Sequence, residues 1–82
     1  MPRSKKTDAQ RRAERFGEHY RVGKARLKLQ EPDIAAALGM GESTLRKYKR
    51  GPDAFSLGQL VRLGGVFGWT EAEYMDIIRG GQ

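Results

Sequence analysis

The sequence has no cysteine, so it carries neither a disulfide framework nor a thiolate metal site, which fits a reducing compartment. Its one histidine, His19, has no cysteine and no clustered carboxylates to share a metal with, and reads as an exposed residue of the first helix. No apolar run approaches the roughly 20 residues that a membrane helix needs, and the basic N-terminus leads into no signal-peptide core. No segment alternates with a period of two for long enough to form a strand. No serine or acidic residue has a base at triad-like spacing, and Gly39-x-Gly41 lacks both the lysine-serine ending and the preceding strand of a phosphate loop. Together these absences predict a soluble, intracellular, all-α protein that is not an enzyme, with no metal, no cofactor and no small-molecule ligand.

What is present is positive charge, unevenly placed. The chain has 82 residues, enough for one domain with a modest core, and a net charge of +6. Residues 1–28 hold ten Lys/Arg against three Asp/Glu, residues 29–50 four against three, and residues 51–82 two against four. The resulting balances of +7, +1 and −2 polarise the chain end to end and favour a polyanionic partner at one side. A membrane surface is the competing polyanion, but the first helix lacks the wide apolar face of an interfacial helix.

Turn residues divide the rest into five predicted helices. Residues 1–7 form a basic, flexible arm, and residues 8–79 a single folded domain. Thr7 with Gln10 makes a capping box, after which Phe16, Tyr20, Gly23 and Leu27 share one face of a helix over about 8–28, its first turns projecting beyond the fold. Pro32 suits the first position of a short second helix carrying Ile34, Ala35 and Leu38, which Gly39 ends. Gly41 and Glu42 open a third, with Leu45 and Tyr48 inward, closed by Gly51-Pro52-Asp53. Ser56 with Gln59 caps a fourth, whose Leu57, Leu60, Val61, Gly64 and Phe67 are expected to be buried. Thr70 with Glu73 caps a fifth, with Tyr74, Met75, Ile77 and Ile78, and Trp69 is expected to wedge between the last two helices.

The second and third helices, over about 32–50, meet the demands of a helix-turn-helix unit. Ala35 is the small residue where the helices cross, and Gly39 supplies the positive-φ turn four residues later. Ile34, Leu38, Met40, Leu45 and Tyr48 supply the glue. The outward face of the third helix is then Glu42, Ser43, Arg46 and Lys47, with Thr44 beside them and Lys49 and Arg50 near its end. In such units the second helix enters the major groove, where hydroxyls and cations reach base edges or phosphates. Charge alone would also suit a solvated helix end; charge combined with the turn selects duplex DNA.

The stretch from about Phe16 to Tyr74, with "DIAAALGMGESTLRKYKRG" followed by "SLGQLVRLGGVFGWTEAEY", resembles the lambda repressor and Cro (Xre) family of bacterial and phage transcription regulators. The resemblance implies a five-helix lambda-repressor-like fold that binds a near-palindromic operator as a homodimer. It also implies a stand-alone, Cro-like regulator, more a repressor than an activator, of phage, prophage or mobile-element type, at work on the nucleoid in the cytoplasm of a bacterial or phage-infected cell. By the same resemblance Glu42, Ser43, Thr44, Arg46 and Lys47 are the recognition-helix contacts. Relatives commonly place glutamines where this chain has Glu31 and Glu42, and Gln30 stands one residue before the first of these. A carboxylate repels phosphate and can only accept, as from cytosine N4, so the family's base contacts do not transfer at those two positions.

Gln30, Glu31, Lys49 and Arg50, with Arg3, Lys5 and Lys6 of the arm, complete the expected backbone contacts. The arm admits two uses, as a disordered tail or as a segment that follows a groove. Met75 and Ile78 exceed what so small a core can bury and are assigned to a two-fold dimer contact. Two rival readings stay open: an antitoxin or adaptor that binds a protein through the fifth helix, and a non-specific nucleic-acid binder using the arm and the first helix.

Overall fold

A computed structural model describes residues 6–81 and is all-helical over that range, with five α-helices and one 3-10 turn. Arg3 and Lys5, and with them most of the expected arm, lie outside the described residues. The helices are α1 (Asp8–Leu27), α2 (Glu31–Leu38), α3 (Glu42–Tyr48), α4 (Leu57–Phe67) and α5 (Glu71–Arg79), with the 3-10 turn at Pro52–Ala54 before α4. Three of the five start as the sequence specifies. Thr7, Ser56 and Thr70 accept from the N–H three residues on, and Gln10, Glu73 and Gln59 return the bond to the cap's own N–H. α2 begins one residue before Pro32, which takes its second position, where its missing N–H is equally harmless.

One contiguous core is built from all five helices and from Phe55, which follows the 3-10 turn. Phe16, Ile34, Leu45, Leu63 and Ile77 are its most buried side chains, with Tyr20, Leu38, Phe55, Phe67 and Trp69 around them. Trp69 meets Phe16 and Tyr74 edge-on and tilts against Phe67, the wedge expected where α4 and α5 meet. Two expected faces need correction. On α4, Leu57 and Val61 are 76% and 56% exposed while Leu63 is fully buried, so the inward stripe is Leu60, Leu63, Gly64 and Phe67. On α1, Leu27 is exposed at the end of the helix, and after Lys28 turns the chain in the left-handed conformation (φ 54°) Leu29 packs against the core instead.

The early turns of α1 do not project beyond the fold. Arg12 grips Asp53 of the 3-10 turn with two bonds of 2.8 and 2.7 Å, and Gly51 and Gly80 come so near Ala13 and Arg11 that a Cβ would lie 3.1 and 2.7 Å from theirs. One turn further on, Arg15 Nε and His19 Nε2 both donate to Asp76 Oδ2 of α5, each at 2.7 Å. His19 is thus half-buried between α1 and α5, edge-on to Trp69, and not the exposed residue expected. Two of the arginines of α1, Arg12 and Arg15, are in this way paired with carboxylates of the acidic C-terminal third.

Candidate nucleic-acid interface

α2 and α3 are joined by Gly39, Met40 and Gly41. Gly39 caps α2 at φ 68°, φ/ψ space that an alanine would enter only with strain, and its N–H and that of Met40 close onto Ala36 and Ala35 carbonyls at 3.1 and 3.0 Å. Ala35, Ile34 and Leu38 are buried beneath the turn, Leu45 is buried from α3, and Met40 and Tyr48 pack partly into the same core. Tyr48 meets Phe55 edge-on at 5.6 Å, tying the last turn of α3 to the 3-10 segment. With Leu45 and Tyr48 held inward, the opposite side of α3 must face solvent.

Glu42, Ser43, Arg46 and Lys47 are exposed on that side, Arg50 is exposed just beyond it, and Thr44 is half-buried at its edge. Among the described residues Arg46, Lys47 and Arg50 have no carboxylate within 4 Å, and Glu42 has no cation. Three uncommitted cations therefore stand within five residues, next to two hydroxyls. In α1, by comparison, Arg11, Arg12 and Arg15 each engage an acidic group within 3 Å, while among the described residues the exposed Arg21 and Arg26 have no carboxylate within 4 Å. Glu42 is the first residue of α3, where the helix dipole favours a carboxylate.

Glu31 and Lys49, expected at the phosphate backbone, are bound to each other. Lys49 Nζ donates to Glu31 Oε1 at 2.5 Å, Lys24 Nζ lies 3.5 Å from the same oxygen, and Tyr20 Oη donates to Oε2 at 2.6 Å. Burial, the largest single influence on Glu31, disfavours its charge, but the bonds from Lys49 and Tyr20 and the pull of Lys49 and Lys24 outweigh it. The carboxyl is held below its ordinary range. Burial, and next the bond to Glu31, push the Tyr20 hydroxyl far above the ordinary tyrosine range, so it stays a donor. Sequence reasoning missed Tyr20 and Lys24 as members of this site; their spacing of four on α1 places both on one helix face, the signal that was available.

Gln30 is exposed at the N-cap of α2, its N–H donating to Asp33 at 3.3 Å. Lys6 is exposed and paired with Glu14 at 2.6 Å. Met75 and Ile78 remain 41% and 47% exposed on α5, whereas Ile77 between them is buried. No helix among the described residues is long and apolar enough to cross a membrane. Comparison of the chain with family models, curated proteins and solved structures yields no match.

Proposed function

We propose that this chain is a sequence-specific, double-stranded-DNA-binding transcription regulator with a helix-turn-helix of the lambda repressor and Cro type, most simply a repressor that acts by occupying its operator. The observation that carries the reading is the exposed face of α3. Its apolar side is locked into the core, and its outer side offers Ser43, Arg46, Lys47 and Arg50 with no internal partner, while Arg11, Arg12 and Arg15 of α1 are engaged by Asp8, Asp53 and Asp76. A helix so presented fits the major groove, with Arg46 and Lys47 long enough for guanine acceptors and Ser43 and Thr44 for shorter contacts. Glu42 would then accept from cytosine N4. Gln30 and Arg50, with Lys6 and the arm, suit phosphates, which fix register without reading sequence.

The dimer rests on the exposed Met75 and Ile78, which a second copy would cover around a two-fold axis. Two copies would place two α3 helices in successive major grooves about one helical turn apart. Cytoplasmic action on the nucleoid follows from that function. Selection of bound duplexes from a random pool tests the reading. It expects a near-palindrome with half-sites about one turn apart; a pool that shows no enrichment despite binding would support the non-specific basic binder.

A further inference from the structure

We infer that Glu31 acts as an internal substitute for a DNA phosphate: it occupies Lys49, keeps that lysine off the duplex backbone, and sets DNA affinity below what the chain's positive charge would otherwise give. The inference rests on the reading of α3 as the DNA-facing helix and concerns regulation of that same surface.

Lys49 caps the C-terminus of α3 and is followed by the exposed Arg50, at the end of the helix proposed to lie in the groove. Its ammonium is on Glu31 Oε1, with Lys24 closing from α1. Two lysines around one anionic oxygen is the arrangement a backbone phosphate would ask for, and here the chain supplies the anion itself. The carboxylate cannot swing aside with Lys49, because Tyr20 Oη holds its other oxygen at 2.6 Å. Moreover, Glu31 is the first residue of α2, so its backbone is fixed by the helix and its charge is favoured by the helix dipole.

The consequence concerns salt. A lysine that neutralises a phosphate releases a condensed counterion and steepens the dependence of log K on log salt by about 0.9 for duplex DNA. A lysine already neutralised by a tethered carboxylate contributes neither the attraction nor the release. Phosphate contacts are also blind to sequence, so freeing Lys49 strengthens binding to every duplex by the same factor and leaves discrimination unchanged. The opposite expectation belongs to a purely structural clasp: if Glu31 served only to seat α3, its loss would misplace the recognition helix and weaken binding.

The test is fluorescence anisotropy of the full chain on a selected duplex and on a random-sequence duplex, titrated across potassium chloride. Glu31→Gln keeps an acceptor for Tyr20 and removes the charge. It is expected to tighten both duplexes equally, by roughly three- to tenfold at about 0.1 M salt, with a slope steeper by about 0.9. Glu31→Gln combined with Lys49→Gln restores the wild-type net charge and should restore the wild-type slope. An unchanged slope, or weaker binding by a Glu31→Gln variant with a wild-type melting profile, overturns the inference. A measurement on the wild type needs no variant to fold: the Lys49 ¹⁵Nζ resonance should stay in place as duplex is added while that of Lys47 moves, and equal movement of both overturns it. A wild-type protein that binds no duplex at low salt overturns the proposed function itself, an outcome distinct from binding with an unaltered slope.

Discussion

Replacing Gly64 by alanine would place a methyl carbon 1.8 Å from Tyr74 Oη, 2.1 Å from Cζ and 2.5 Å from Cε1, distances at which the ring must leave its seat. Tyr74 lies there because α4 offers bare backbone, letting its hydroxyl donate to the Val61 carbonyl at 2.8 Å while its ring meets Trp69 edge-on at 5.7 Å. Displacing the ring forfeits a hydrogen bond of about 1 kcal/mol and an aromatic contact of about 1 kcal/mol. Partial exposure of the ring adds about 1–2 kcal/mol. Alanine's better helix propensity returns about 1 kcal/mol. The net loss is about 2–3 kcal/mol, which in a domain of this size lowers the melting temperature by about 10–20 °C. The neighbouring Gly65 supplies the control: a Cβ there meets nothing within 4 Å and the residue is exposed, so Gly65→Ala should stabilise by about 0.5–1 kcal/mol through propensity alone. Thermal melts followed by far- and near-ultraviolet circular dichroism of the two variants decide the matter. Equal melting temperatures for Gly64→Ala and Gly65→Ala would refute the close approach of Tyr74 to α4 and the packing of α5 that depends on it.

Three further outcomes are expected. Asp76 is held below the usual carboxylate range by its bonds to His19 and then Arg15, and Asp53 by its bond to Arg12. Both therefore stabilise the fold at pH values above the ordinary carboxylate pKa of about 4 and lose that effect as pH falls through their lower folded values. Asp76→Asn should accordingly narrow the gap between urea midpoints at neutral and acid pH, and a gap as wide as that of the wild type counts against the α1–α5 ion pairs. Ile78→Glu should shift sedimentation toward a monomer while the helical spectrum is kept; an unchanged mass removes α5 from the dimer contact. Arg46→Ala and Lys47→Ala should each relax preference at one operator position by about 1–3 kcal/mol, read as the ratio of selected to random duplex affinity, whereas Lys6→Ala should leave that ratio alone.

The helix starts were legible because capping chemistry is local: Thr7, Ser56 and Thr70 each find their partner three residues away, and Gly39 meets its left-handed turn within its own backbone. Which residues of a stripe face inward was less so. On α4 the apolar positions Leu57, Leu60, Val61 and Leu63 cover more than one sector, and only the placement of α1 and α2 selects Leu60 and Leu63 over Leu57 and Val61. The charged residues were the least legible, since their partners lie far along the chain. Asp53 waits for Arg12, 41 residues before it, and Asp76 for His19, 57 residues before it. Glu31 reads in sequence as a misplaced carboxylate in a phosphate-binding position; in space it is the meeting point of α1, α2 and α3. Local pattern thus located α3 and its inward side, and tertiary structure determined which of its cations are uncommitted.

Whether that outer face of α3 reads DNA is open to a single titration. Backbone amide and side-chain resonances of the ¹⁵N-labelled chain, followed as a selected duplex is added, should shift most at Ser43, Thr44, Arg46, Lys47 and Arg50, with Gln30 at the start of α2 moving as well. Perturbations confined to the arm and α1, or absent from α3 while Met75 and Ile78 respond to a protein partner instead, would contradict it.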